Sequence, residues 1–159
     1  HHSFTLWLKS ISQPLTYSVA GPAWGRLKRA LEQNRKGFFI FATTDGRTFA
    51  LNLNFVHLVR FRQEASDVEV QVAETRSAEI NLYYYEREIE TFVVDDPVDL
   101  AELFTRLKTG VDHDTVSFAE KGGDLVMLNT NELIVLESST VFVEEGFMKV
   151  YQQKQRKKQ

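Results

Sequence analysis

The chain has 159 residues, 43% hydrophobic and 12% aromatic, enough for one compact domain with a core and short for two independent ones. It contains no cysteine, which excludes disulfides and thiolate metal sites and fits a reducing, cytoplasmic setting. The net charge of -3 is unevenly spread: residues 1–75 carry nine Lys/Arg against six Asp/Glu, residues 76–148 carry five against sixteen, and residues 149–159 carry five Lys/Arg and no acid.

From the N-terminus, Phe4 to Lys9 and Leu15 to Val19 read as two strands. Gly21-Pro22 then opens a helix, proline being tolerated in a first turn where its missing N–H costs nothing. Trp24, Leu27, Ala30 and Leu31 give that helix an apolar face, and Asn34 to Gly37 ends it. Phe38 to Thr43 and Thr48 to Leu53 flank Asp45-Gly46, a hairpin signal. Phe55 to Arg62 is a further strand, and Val68 to Val72 reads as an edge strand.

After a joint at residues 76–79 the order repeats. Ile80 to Tyr85 and Glu90 to Val94 read as strands, and Asp95-Asp96-Pro97 starts a second helix with a carboxylate cap. Leu100, Leu103, Phe104 and Leu107 form its apolar stripe, and Gly110 stops it. Thr115 to Ala119, a turn at Gly122-Gly123, Leu125 to Leu128 and Leu133 to Leu136 follow, with Thr140 to Val143 as a last strand. The tail from Gln152 has no apolar residue, so it is expected to be mobile or to extend a helix into solvent.

Residues 41–61 and 118–138 align without a gap, matching Phe41/Phe118, Ala42/Ala119, Gly46/Gly123, Leu51/Leu128, Asn52/Asn129 and Asn54/Asn131. The expected fold is therefore α+β: a tandem duplication of a β-β-α-β-β-β unit, mostly antiparallel, one helix per copy, with pseudo-twofold symmetry. One domain over 1–148 would comprise repeats 4–75 and 79–145, followed by a basic tail at 149–159. Arg47 aligns with Asp124 and Arg60 with Glu137, so charge is inverted where the scaffold matches.

The chain lacks phosphate loops, nucleophile elbows and H-E-x-x-H, so no enzymatic activity, cofactor or metal is expected. No apolar run reaches the ~18 residues of a membrane span. Without a basic-then-apolar leader no signal peptide is expected, and His1-His2 reads as a tag remnant. His57 aligns with Ile134, which implies a packed imidazole. His113 between Asp112 and Asp114 reads as a solvated turn more than a cation site. The carboxylates at Asp95, Asp96, Asp99 and Glu102 suit a helix N-terminus without catalysis. The repeated Leu-Asn-x-Asn reads as a turn, the alternative being that Asn52 and Asn54 contact a ligand or base edge.

Phe38, Phe39, Phe41 and Phe49 read singly as core, yet with Arg47, Arg60-Phe61-Arg62 and Tyr83 to Tyr85 they make a sheet of rings among arginines the best functional lead. Bases stack on rings while cations track phosphates. Arg26, Lys28, Arg29, Arg35, Lys36, Arg47, Arg60, Arg62, Lys154, Arg156, Lys157 and Lys158 are the candidate nucleic-acid contacts. A helix followed by strands with an Asp45-Gly46-Arg47 turn is similar to Sm-type RNA-binding folds, although the aspartate–asparagine pairing expected beyond the turn is missing and two strands precede each helix. In outline, a duplicated sheet-plus-helix unit is similar to single-strand-binding regulators of the Whirly and PUR type. No motif carries residues across from either family. The expected function is nucleic-acid binding, single-stranded DNA or RNA favoured, with a transcriptional regulatory role. The alternative is a protein-interaction, inhibitor or immunity-type module in which a basic copy meets an acidic one, in a homodimer or on another partner.

Overall fold

A computed structural model of the protein describes residues 2–63, 75–110 and 115–158. Strands β1 (His2–Leu8) and β2 (Leu15–Val19) precede helix α1 (Gly21–Glu32), followed by β3 (Phe38–Ala42), β4 (Arg47–Asn52), a single 3-10 turn (Leu53–Phe55) and β5 (Val56–Gln63). Then come β6 (Glu79–Tyr84), β7 (Glu90–Val93), α2 (Pro97–Thr109), β8 (Thr115–Ala119), β9 (Leu125–Asn129), β10 (Leu133–Ser139) and α3 (Thr140–Lys157). The expected strand at Val68 to Val72 and the Asp112 to Asp114 loop lie outside the described residues.

The fold is α+β, and every strand pairing among the described residues is antiparallel. One sheet has the order β2-β1-β5, a second β3-β4-β10-β6-β7, and β8-β9 stands as a separate hairpin. The β3–β4 hairpin thus joins the sheet of the second half, through pairs running from Leu51–Val135 to Arg47–Ser139. An apolar cluster lies under each of α1 and α2. The first gathers Phe4, Leu6, Leu27, Phe39, Phe41, Phe49 and Leu51; the second gathers Ile80, Leu82, Leu100, Leu103, Phe104, Phe118 and Phe142. Strand β10 feeds both, giving Ile134 and Val135 to the first and Leu133 and Leu136 to the second. It ties the two halves together.

Local chemistry explains where the helices begin. Asp96 caps α2 by accepting the Val98 N–H at 2.9 Å, while Gly110 ends it in a left-handed conformation (φ 61°). Thr140 to Val143 is helical, not a strand, and α3 is a third helix beyond the expected one per copy. Its β-branched and aromatic start resembles strand sequence, but Phe142, Val143 and Gly146 recur at helical spacing and are all buried. Ser139 caps this helix through the Phe142 N–H, and the Thr140 hydroxyl bonds Thr48 at 2.7 Å. Gly146 lets α3 cross the start of α2, because a Cβ there would overlap the Pro97 carbonyl. The basic tail is the exposed end of this helix through Lys157.

Candidate functional site

Among the described residues β3 is an edge strand of its sheet, and its outer edge forms the floor of a cleft of about 840 Å³. The bonds from Leu53 N–H to Gly37 and from Thr43 N–H to Arg47 fix the alternation along the hairpin. Residues 39 and 41 therefore face β4, so the backbone groups of Phe38, Ile40 and Ala42 point into the cleft. Helix α1 supplies one wall through Arg26, Arg29 and Gln33, with Arg35 just beyond its end. Helix α2 supplies Thr105 and Lys108, and α3 supplies Glu144 and Phe147.

Four cations and one carboxylate line this cleft, so its field is positive although the chain is acidic overall. Arg26 holds its guanidinium 5.5 Å from the centre of the buried Phe39 ring, which orients the charge while leaving it accessible. Phe147 leads out of the cleft along α3. Tyr151 one turn later and Lys154 two turns later share its face, which continues toward Lys158. Phe147 and Tyr151 are 42% and 59% exposed, so both rings are accessible to a ligand.

The structure brings Arg26, Arg29 and Arg35 together and distributes the other predicted contacts elsewhere. Lys28 lies over Trp24 at 5.7 Å, while Lys36 is exposed outside the cleft lining. Arg47 bonds Glu137 through two nitrogens at 2.8 and 3.0 Å. Arg60 sits on β5 with its guanidinium 5.5 Å from the Trp7 ring centre, and Arg62 is exposed opposite Ser3. Lys154, Arg156, Lys157 and Lys158 are exposed at the end of α3. Lys108, Phe147 and Tyr151 were not among the expected contacts. Lys108 stands in a segment with a large acidic excess, which masks it in any count of charge, and the two rings follow a stretch that reads as strand.

Several expectations are corrected. Phe38, Phe39, Phe41 and Phe49 are all buried, so the exposed platform of rings on this hairpin does not exist. His57 is exposed where Ile134 is fully buried, because β5 is an edge strand and β10 lies inside the five-stranded sheet. Asn52 is buried. Its Oδ1 accepts the Asn54 N–H at 3.1 Å and its Nδ2 donates to the Leu133 carbonyl at 2.9 Å, which removes it as a ligand contact. The turn reading of the motif holds at both sites, since Asn129 accepts from Asn131 N–H at 3.0 Å. Tyr83 donates to Glu137 at 3.3 Å, and burial beside that carboxylate pushes its phenol up to about 12. Tyr85 is the exposed member of the three tyrosines.

Among the described residues no group of three or more His, Asp or Glu is placed to hold a metal, and no helix is long and apolar enough to cross a membrane. Compared with known proteins, the chain matches no family model, no curated protein and no solved structure.

Proposed function

We propose that this is a non-enzymatic nucleic-acid-binding protein that takes single-stranded DNA or RNA in the cleft along β3. The observation that carries the reading is the convergence of Arg26, Arg29, Arg35 and Lys108 on one groove that continues into Phe147, Tyr151 and the basic end of α3. Cations spaced along a groove suit a phosphate backbone, and accessible rings at its exit suit base stacking. Among the described residues no strand pairs with the outer edge of β3 at Phe38 and Ile40, whose backbone groups offer donors and acceptors to base edges. A regulatory role at transcription is compatible with such binding.

The scaffold that supports the groove is, in the same proposal, a tandem duplication. Hydrogen bonds support it at matched positions. Thr43 N–H to Arg47 and Thr44 N–H to Ser18 are mirrored by Glu120 N–H to Asp124 and Lys121 N–H to Val93. The sheet β2-β1-β5 has the same order as β7-β6-β10, and the isolated bridge Val19–Thr43 corresponds to Val94–Glu120. The bulge that skips His57 opposite β1 recurs at Ile134 opposite β6.

The test is binding of fluorescent oligonucleotides, single- and double-stranded, at two salt concentrations. Affinity should fall steeply with salt, by a log–log slope of about 0.7 per phosphate contacted on a single strand. Arg26→Ala, Arg29→Ala, Arg35→Ala and Lys108→Ala should each weaken binding on all sequences alike and reduce that slope. Arg47→Ala should leave the slope unchanged, since Glu137 already neutralises that charge. Absence of binding at low salt to either kind of strand rejects the proposal.

A further inference from the structure

The exposed apolar residues on the strands converge on two edges that belong to different halves. Leu125 and Met127 on β9 are each 65% exposed, and Leu58 on β5 is 57% exposed. Among the described residues no strand pairs with the outer edge of either β9 or β5. The positions that align with these three tell a different story. Thr48, Ala50 and Val135 are buried at the junction where β4 pairs with β10. Among the described residues there is therefore one β4–β10 junction, together with the two edges, β9 and β5, that correspond to the halves of a second.

From these edges we propose that copies of the protein associate head to tail, β9 of one molecule adding as a strand to β5 of the next. The inference rests on the matched scaffold proposed above and is independent of nucleic-acid binding. Transposing the β4–β10 register onto these two edges pairs Leu125 with Phe61, Val126 with Arg60 and Met127 with Val59. Backbone directions then have to agree, and they do. The Glu120 N–H to Asp124 bond makes residues 118 and 126 face one another, so the groups of Leu125, Met127 and Asn129 point outward. On the other side, the Thr44 N–H bond to Ser18 shows that Ser18 does not face β1. Hence Tyr17 bonds Phe4, Thr5 bonds Arg60, and the groups of Val59 and Phe61 point outward. A shift of one residue would have set these groups opposite residues whose own N–H and C=O point back into their own sheet.

Charge gives a second, independent agreement. Within the chain, Arg47 of β4 bonds Glu137 of β10, which also accepts from Tyr83 two residues along the neighbouring strand from Asn81. In the transposed junction Asp124 takes the place of Arg47, Arg60 that of Glu137, and Trp7, which Arg60 already faces, that of Tyr83. Both signs are reversed together, so the pair remains complementary. The reversal also discriminates: β9 of one copy with Asp124 would meet Glu137 at the internal junction, and β4 with Arg47 would meet Arg60 at the external one. Like charges therefore oppose the wrong strand exchange. A heterologous contact of this kind builds open chains or closed rings, not an isologous dimer.

Sedimentation without nucleic acid tests this. Weight-average mass should rise above the monomer with concentration, and Met127→Lys should return the protein to a monomer without changing the thermal midpoint measured at dilutions where the wild type is itself monomeric, because lysine on an exposed edge opposes strand addition. Asp124→Arg and Arg60→Asp should each reduce association about tenfold or more, and an equimolar mixture of the two variants should restore it, since each arginine then meets an aspartate. A wild type that stays monomeric up to about 1 mM overturns the proposal. So does association that neither charge reversal weakens, or that the mixture fails to restore. Oligonucleotide binding is read in a separate assay, so the two proposals can fail separately.

Discussion

The hairpins β3–β4 and β8–β9 have the same length, closing bond and polar turn motif, yet they meet opposite fates. In the first, Thr48, Ala50 and Asn52 on one face of β4 are 7%, 0% and 2% exposed. In the second, the aligned Leu125, Met127 and Asn129 of β9 all lie open, although two of them are more apolar than their counterparts. Burial here follows the neighbour, not the side chain. β4 has β10 at its outer edge and α2 across its face, whereas among the described residues no strand pairs with the outer edge of β9, and only its opposite face, through Leu128, joins the core. A period-two pattern fixes which residues share a face; it does not say what covers that face.

The largest test of this contrast places a charge at the aligned pair. Ala50→Asp puts a carboxylate where there is no solvent and no cation, with an expected loss of about 3 kcal/mol or more and insoluble or unfolded protein. Met127→Asp, at the same place in the other hairpin, should change monomer stability by no more than about 0.5 kcal/mol. Urea titrations of both variants decide it. Equal losses would mean that β9 is covered within its own chain, and the contrast would collapse.

The same asymmetry explains how far the sequence could be read. Most strand and helix positions among the described residues were legible to within one or two residues, because Asp45-Gly46, Pro22, Pro97 and Gly110 punctuate the chain with local chemistry, although β10 runs three residues past the expected Leu136. Sheet membership was not legible. Nothing local in Arg47 to Asn52 says that it pairs with residues some ninety positions later. The start of α3 was misread since Thr140 to Val143 is strand-like until Gly146 and the helical spacing beyond it are taken into account. At the candidate site, Arg26, Arg29 and Arg35 were found from charge on one helix, but Lys108 joins them only through the packing of α2 beside β3. His57 was assigned the burial of Ile134 by alignment, and the edge position of β5 defeats that transfer.

A smaller effect separates the paired asparagines. Each accepts an N–H two residues on, but only Asn52 also donates across the junction, to Leu133 in its buried setting. Asn52→Ala leaves that carbonyl and the Asn54 N–H without their partner, at a cost of about 1–3 kcal/mol. Asn129→Ala exposes its turn to water that can substitute, and should cost about 0.5 kcal/mol or less. Denaturation midpoints that fall together for the two variants would show that the junction adds nothing beyond the turn.

Another small neutral-pH effect comes from Tyr83, at the internal junction beside Glu137. Its phenol stands at about 12 in the folded chain against 10.0 for an unperturbed tyrosine, chiefly because burial disfavours the phenolate, with the Glu137 carboxylate adding to this. A folded-state value above the unfolded one means that the contribution is fully present below about pH 10 and is lost as pH rises toward 12. Tyr84, also raised to about 12 by burial, acts in the same direction. The packing of β6 beside β10 should therefore loosen in alkali, where the carboxylates are already fully ionised. Tyr83→Phe should alter stability at neutral pH by about 1 kcal/mol or less, since the bond it removes is long and partly solvated. Above about pH 10 the variant should lose stability less steeply than wild type, one of the ionisable rings near Glu137 being gone. Thermal midpoints measured through that range supply the comparison, and parallel curves for the two proteins would show that Tyr83 ionises without sensing the junction.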